Sequence, residues 1–299
     1  MRTQPTDAES RPPVGEASCP YCRFHQNVVY ADRARRMGRC AECSAWFVWP
    51  PPTRAGITAH YSANDRGMPR DLREWREGTS LEEWYRHIAR SISRRSGAGV
   101  RSIVDIGAGG LELTRALASE FPDARIEAWD LFPDSLHETQ NQGARITRRS
   151  IDLNEDDDVT GARGTFDIVA CVAVLEHVIE PLALLRRVQS LLSPGGLAFV
   201  IAPEARSIAH RILGAHWPYY CPDEHLTLPT LASIERALAL LDGDGTFSIS
   251  RVNVSYSLQY VLRYLRLPIR VPAFADIVLP VPAGAFELVW KRTGLPHQR

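Results

Sequence analysis

Three sets of residues in this 299-residue chain have the types and spacing to do chemistry. The first is Asp105 followed by Gly107, Ala108, Gly109 and Gly110, directly behind the β-branched run Ile103, Val104, Ile106. Such a run reads as a buried strand. Leu113, Ala116, Leu117 and Phe121 then recur at helical steps. A turn of minimal bulk between strand and helix lets a ligand press on backbone amides at the helix N-terminus. A dinucleotide fingerprint needs glycines at the first, third and sixth turn positions. Counted from Gly107, the sixth position is Glu112, so a pyrophosphate is disfavoured. A carboxylate at the strand end, Asp105, suits a cationic or amine-bearing ligand better. The second set is Cys19-x2-Cys22 and Cys40-x2-Cys43, separated by seventeen residues. Two thiolate knuckles at this spacing suit a closed, tetrahedral, structural Zn²⁺. The third runs from His216 to His225 and holds two histidines, two tyrosines (Tyr219, Tyr220) and two acids within ten residues. Histidine is the natural proton acceptor near neutral pH.

These residues need elements to hold them. Arg125–Trp129 reads as a strand ending in Asp130, about 20 residues past the glycine turn, where a carboxylate can bind both ribose hydroxyls of a nucleoside. Ala144–Thr147 reads as a third strand. Phe166–Cys171 is a fourth, apolar enough to be buried on both faces. Leu184, Leu185, Val188, Leu191 and Leu192 make a helical stripe broken by Ser193-Pro194-Gly195-Gly196, and Leu197–Ala202 is a fifth strand. A helix is expected over roughly Asp71–Arg95, with Trp75, Trp84 and Tyr85 packing it onto the core. Another is expected from Thr230 to Leu241, and a strand from Phe247 to Val254. Alternating strands and helices of this kind predict an α/β fold of the Rossmann type.

Apolar content of 44% and charged content of 23% are those of an ordinary globular chain. Thirty-five basic residues balance thirty-five acidic ones, which argues against a protein built mainly to coat nucleic acid. Arg33, Arg35, Arg36 and Arg39 crowd the cysteine region. With no exposed aromatic stripe among them, a solvated hairpin tip is favoured over a phosphate contact. The run Glu155–Asp158 reads as a solvated acidic loop. The first residues lack an apolar signal core, and no run of 18 apolar residues occurs. A cytoplasmic location with reduced thiols is expected.

Read together, the motifs carry a family resemblance. Asp105-x-Gly107-x-Gly109 resembles motif I of the class I S-adenosylmethionine (SAM) methyltransferases, with Leu111 where the last glycine is usual. Trp129-Asp130-Leu131 resembles the second motif, and Ser150-Ile151-Asp152-Leu153 the "GDL" segment. Val174-Leu175-Glu176-His177-Val178 resembles the "VLEHV" segment. The cysteine ribbon, the aromatic strand Trp46–Trp49, the prolines Pro50–Pro52 and then His60-Tyr61 resemble the front end of zinc-containing sugar C-methyltransferases and related small-molecule enzymes. The resemblance implies a Rossmann-like sheet with helices on both faces behind a small zinc ribbon. The expected organisation is a disordered tail at 1–17, ribbon at 18–50, linker and helical lid at 51–98, SAM-binding core at 99–204, and a substrate-binding segment at 205–299 completing the sheet. Ala285–Trp290 would be its last, antiparallel edge strand.

The resemblance also implies roles. Asp105, Gly107, Gly109 and Gly110 would line the methionine end of SAM. Asp130 would bind the ribose and Leu131 the adenine, while Asp152 and Leu153 would meet the adenine amino group and ring. Cys171 would pass near the methionine part. Some relatives hold a metal with Glu-x-x-Glu-His, but Ala173 replaces the first acid, leaving at most two ligands and no expected catalytic metal. The catalytic base is expected to be His225, with His177 second and Tyr219 orienting the acceptor. The expected reaction is SAM-dependent methylation of a sugar, nucleotide sugar or secondary metabolite, with no nucleic-acid partner and the oligomeric state left open. The alternatives are RNA methylation and a non-catalytic binding role.

Overall fold

The computed structural model describes residues 15–64, 81–131, 139–141, 143–153, 161–265, 267–272 and 277–294. Most of the expected tail, the start of the helix expected from Asp71, and the acidic run Glu155–Asp158 lie outside them.

Two cysteine knuckles organise the ribbon. The first joins β1 (Glu16–Ser18) to β2 (His25–Asn27), and β3 (Val29–Asp32) leads into β4 (Met37–Arg39). The second knuckle joins β4 to β5 (Trp46–Val48). α1 (Arg54–Asn64) and α2 (Leu81–Arg95) follow. α2 has Glu82 and Glu83 in its first turn and Arg94 and Arg95 in its last, the arrangement that opposes the helix dipole. It buries Leu81, Trp84, Ile88 and Ile92 in the same core cluster as residues of the next helix. Of the expected lid, α2 is therefore core packing, as its aromatic stripe suggested.

The remaining elements are β6 (Ser102–Ile106), α3 (Glu112–Glu120), β7 (Arg125–Asp130), β8 (Thr139–Asn141), β9 (Ala144–Ser150), β10 (Phe166–Val172), α4 (Pro181–Leu191), β11 (Leu192–Pro203), α5 (Ile208–Leu213), β12 (Thr227–Leu228), α6 (Leu231–Ala239), β13 (Gly245–Ser257), α7 (Leu258–Tyr264) and β14 (Val278–Arg292). One sheet has the order β13-β14-β11-β10-β6-β7-β9-β8. Its five central strands, β11, β10, β6, β7 and β9, are parallel. β14 is antiparallel to β11, as expected, but it is not an edge: β13 pairs along its other side. The chain passes from β6 to β7 and β9 on one side, then returns through β10 and β11 on the other. The reversal between β6 and β10 is the point where ligands bind at the carboxyl ends of an open α/β sheet.

Each face of the sheet has its own core. Ile103, Ile126, Ile168 and Phe199 pack with α2 and α3. Val104, Ile106, Trp129 and Val200 pack with α4, α6 and the ribbon residues Tyr21, Cys43 and Phe47. The ribbon thus shares a core with the large sheet. Its own sheet has the order β12-β5-β4-β3, so the strand just after His225 belongs to it. Thr227 pairs with Phe47 and Leu228 with Trp46. Thr230 then starts α6 with a capping box: its side chain accepts from the Ser233 N–H while Ser233 reaches back to the Thr230 N–H. Such a cap contributes about 1 kcal/mol.

Candidate active site and zinc centre

The glycine turn owes its shape to backbone needs. Gly107 has φ +72° and Gly109 φ +46°, a region L side chains avoid. A Cβ on Gly107 would fall 2.2 Å from Val174 Cγ2, whereas one on Gly109 would meet nothing within 4 Å. Gly107 is therefore required for packing, and Gly109 leaves open space above the turn. The N–H groups of Gly107 and Ala108 both donate to Trp129 O, at 2.7 and 3.0 Å. This ties the turn to the end of β7. Leu111, where a glycine is usual, holds φ +68° at the N-cap of α3 and is buried with Ala108 and Ala128. Burial of the side chain offsets a left-handed backbone that costs about 1–2 kcal/mol.

Two carboxylates converge on this turn. Asp130, at the end of β7, accepts from Gly109 N at 2.9 Å. Asp105 is buried at the end of β6 and accepts from Thr114 Oγ1 at 2.6 Å. Burial pushes the Asp105 carboxyl up to about 7, against the pull of the Thr114 hydrogen bond. The nearby Asp130 and Glu112 charges add to the rise. An open glycine turn flanked by two carboxylates fits a ligand with both a nucleoside and a cationic end. Leu131, Asp152 and Leu153 are half-buried beyond the carboxyl ends of β7 and β9. The Leu131 carbonyl accepts from Ser150 Oγ at 3.1 Å. Cys171 is fully buried in the core beside Val104 and Ile106, and burial pushes its thiol up. Its side chain packs in the sheet interior.

On the other side of the reversal, β10 leads to Ala173, held at φ +55°, and to a single 3₁₀ turn over Leu175–His177. The turn presents His177, whose ring meets the His225 ring at 4.7 Å and 84°. His225 Nδ1 lies 2.6 Å from the Tyr219 carbonyl. A carbonyl can only accept, so Nδ1 carries the proton and Nε2 keeps its lone pair. His177 Nδ1 lies 3.1 Å from Glu224 O and 2.8 Å from Tyr61 Oη. By the same reasoning it donates. Burial pulls His225 down to about 4 and His177 to about 3, the second helped by the neighbouring His225. Both imidazoles are neutral near pH 7. Glu176 is fully buried, is pushed up to about 8 by that burial, and its Oε2 has no partner among the described residues.

The structure brings together all three expected catalytic residues: the His225 ring meets His177 at 4.7 Å and stacks with Tyr219 at 6.4 Å. Tyr219 contributes through its carbonyl, and its hydroxyl pairs instead with Tyr256 Oη at 3.1 Å. Two further residues belong here. Tyr61 arrives from α1 and Glu176 from the 3₁₀ turn. The contact of Tyr61 spans 116 positions and has no local signal in the sequence beyond its place in the His60-Tyr61 pair. Glu176, His177 and His225 each offer one donor atom, all within 4.8 Å of one another. The sequence count of at most two metal ligands is therefore corrected to three, because β12 delivers His225 beside the 3₁₀ turn.

The four ribbon cysteines converge as expected. Their sulfurs lie within 4.8 Å of one another, with Cys19–Cys43 and Cys22–Cys40 both at 3.6 Å. The knuckles repeat one geometry. Arg23 N donates to Cys19 O and Ser44 N to Cys40 O, and Arg23 and Ser44 both have φ +60°. The Cys43 thiol holds Cys19 down to about 6 even though burial opposes it, and the same contact pushes Cys43 up. Four sulfurs this close, three of them buried and Cys22 half-buried, cannot all ionise without a cation. The donor set fits a structural Zn²⁺.

The profile of a family described as "Methyltransferase domain" matches residues 73–242, more than half of the chain. Among curated relatives, the ubiquinone biosynthesis O-methyltransferase of Bordetella avium is 29% identical over 141 residues, covering 45% of this chain and 54% of that protein. The enzyme of the same name from Xanthomonas axonopodis pv. citri is 34% identical over 113 residues, covering 36% of this chain and 45% of its own. The chain thus spans about half the length of these relatives. Among solved structures, the 1,6-didemethyltoxoflavin-N1-methyltransferase of Burkholderia thailandensis, with bound S-adenosylhomocysteine, aligns at TM-score 0.48 and 15% identity. The alignment covers 89% of this chain and 99% of that one.

Proposed function

The chain belongs to the methyltransferase-domain family, and from that premise we propose that it transfers a methyl group from SAM to a small-molecule acceptor, with His225 as the base. The preferred acceptors are a sugar, a nucleotide sugar or a secondary metabolite. Asp105, Gly107, Gly109, Gly110 and Asp130 would hold the methionine and ribose parts, with Leu131, Asp152 and Leu153 around the adenine. SAM, when bound, supplies an electrophilic methyl group on a sulfonium.

The chain's own tasks are then to align the acceptor for in-line attack and to take its proton. The proton of an acceptor hydroxyl, amine or acidic carbon would pass to His225 Nε2 as the new bond to the methyl carbon forms and the carbon–sulfur bond breaks. The single observation that carries this reading is the His225 ring. It is fixed by the Tyr219 carbonyl at 2.6 Å, neutral, and beside His177 at the carboxyl end of β10. His177 is the second choice as base, because its Nδ1 is shared between Glu224 O and Tyr61 Oη.

The test measures S-adenosylhomocysteine release over a panel of small-molecule acceptors. His225→Gln is expected to lower turnover by ~10²–10⁴-fold, the range for a positioned base, with SAM affinity unchanged. Full turnover in that variant rejects His225 as the base.

A second reading is favoured by one observation, the three donor atoms of Glu176, His177 and His225 gathered within 4.8 Å. A divalent cation there would hold the acceptor oxygen directly. Dialysis against EDTA followed by electron paramagnetic resonance with added Mn²⁺ separates the readings. Bound Mn²⁺ that His225→Gln abolishes supports the cation, and no bound Mn²⁺ leaves the histidine reading alone.

A further inference from the structure

A cavity of about 1010 Å³ opens next to the histidine pair. Its wall comes from three distant stretches: the ribbon turn with Arg35 and Arg36, the proline exit with α1, and the segment holding Tyr220 and Glu224. Tyr61 lines it too, and Tyr61 Oη is the atom 2.8 Å from His177 Nδ1. Because His177 donates there, the Tyr61 hydroxyl keeps its own proton to offer. One side of the cavity therefore adjoins the proposed chemistry. The volume lies at the upper end for a small-molecule site, ~300–1,000 Å³.

The ribbon wall is cationic, and its two arginines are prepared differently. Arg35 is fixed. Its Nη1 donates to Asp32 Oδ2 at 2.9 Å and its backbone N–H to Asp32 Oδ1 at 3.2 Å. Tyr220 Oη donates to the same carboxylate at 2.9 Å, and the Arg35 guanidinium lies over the Tyr220 ring, 5.4 Å from its centroid. Burial works against the Asp32 carboxylate, but the Tyr220 and Arg35 hydrogen bonds outweigh it and hold its pKa below the ordinary range. Arg35 is thus largely neutralised by Asp32 and held in one orientation.

Arg36 has no such partner: its guanidinium pairs with no carboxylate among the described residues. Its backbone sits at φ +54°, and Trp49 N donates to its carbonyl at 2.8 Å, fixing where the side chain starts. An exposed arginine on a convex surface needs no explanation. One on a concave wall, beside an immobilised second guanidinium, sits where field lines are focused and where forked donors match an oxyanion. The third stretch of the wall carries two acids, Asp223 and Glu224, of which Glu224 lies 4.0 Å from His60 Nε2, so the anion's place is on the arginine side. The arginine cluster is therefore divided. Arg35 and Arg36 line the cavity, while Arg33 and Arg39 are exposed outside it.

We propose that the acceptor carries an oxyanion, a phosphate ester or a carboxylate, seated on Arg36 with Arg35 beside it, while its methyl-accepting end lies toward Tyr61. This rests on the methyltransferase reading, and it makes the zinc ribbon half of the acceptor site.

The test titrates inorganic pyrophosphate, and separately malonate, into the full-length protein by calorimetry, with SAM titrated in parallel. Wild-type protein should bind at least one of the two anions, and which one binds identifies the phosphate or carboxylate source. Arg36→Ala should lose about tenfold or more in that affinity, as expected for a charge-assisted contact. Arg33→Ala, in the same turn but off the cavity wall, should bind like wild type, and all three proteins should keep the same melting temperature and SAM affinity. The proposal is overturned if neither anion binds, or if Arg36→Ala and Arg33→Ala bind equally well. Normal SAM binding in that case leaves the methyltransferase reading standing. Failure to bind SAM at all removes that reading itself.

Discussion

On the proposed donor side of the cleft, Asp105, the Gly107–Gly110 turn and Asp130 follow one another along a single strand, turn, helix and strand. On the acceptor side, His177 ends a 3₁₀ turn behind β10, Tyr61 comes from α1, and His225 is delivered by a segment that continues as a strand of the ribbon's sheet. The donor side is held by contacts within one strand–helix–strand unit, such as the paired N–H bonds from Gly107 and Ala108 to Trp129 O. The acceptor side is held by contacts that cross the whole chain. Tyr21 Oη meets Thr227 Oγ1 at 3.0 Å, and Thr230 Oγ1 donates to Cys43 O at 2.6 Å. The two halves of one site should therefore fail separately, and the ribbon metal should matter to only one of them.

The largest expected effect breaks the acceptor half alone. Cys40→Ser removes one of the four sulfurs and with it the knuckle whose Cys43 carbonyl anchors Thr230. Zinc content measured by mass spectrometry should fall. Methyl transfer should drop by ~10²-fold or more, the scale of a displaced base, while SAM affinity stays within a few-fold of wild type. If SAM affinity falls in step with turnover, the two halves are one cooperative unit and the comparison is wrong.

Next in size is a contrast inside the donor half. Gly107→Ala combines a left-handed backbone with a Cβ 2.2 Å from Val174 Cγ2, and should cost the fold several kcal/mol, ~2–4 by the usual scale of strain plus overpacking. Gly109→Ala meets nothing within 4 Å and should cost the fold only ~1–2 kcal/mol of backbone strain. The open space above Gly109 is where the ligand is proposed to lie, so this variant should weaken SAM binding out of proportion to its melting temperature. Equal effects of the two substitutions on both readouts would contradict that placement.

The last effect is a pH dependence. Asp105 titrates near 7 in the fold, chiefly through burial, against 3.8 as its ordinary value. The folded state then binds the proton more tightly than the unfolded chain. Its contribution is fully favourable below about 4, and is lost as pH rises through about 7. The melting temperature of Asp105→Asn minus that of wild type should therefore grow between pH 5 and pH 8, by up to a few kcal/mol equivalent. A constant difference across that window would mean the carboxylate is not desolvated.

What could be read before folding follows the same division. Ile103–Ile106, the glycine turn, Asp130 and the near-continuous apolar β10 carry their meaning in local pattern, because strand period and turn chemistry are set by adjacent residues. The cysteine knuckles are legible for the same reason. Which face of the sheet Cys171 packs on was not legible, because alternation along β10 decides it and an apolar stretch buried on both faces conceals that alternation. Ala285–Trp290 read as an edge because nothing in its own residues shows that β13 pairs beyond it. His225 stood out by type alone, but its bond to Tyr219 O, its ring contact with His177, and the convergence of Glu176 on both depend on β12 joining the ribbon's sheet. Arg36 looked like any solvated arginine until the fold curved a wall around it.

The most direct test of the central claim, that the glycine turn between β6 and β7 holds SAM, is calorimetric titration of SAM into wild type and Asp130→Ala. Wild type should bind, and the variant should keep its melting temperature and lose about tenfold or more in affinity, as for two lost charge-assisted hydrogen bonds to a ribose. A wild-type protein that takes up no SAM at millimolar concentration, or a variant that binds it equally well, would contradict the account.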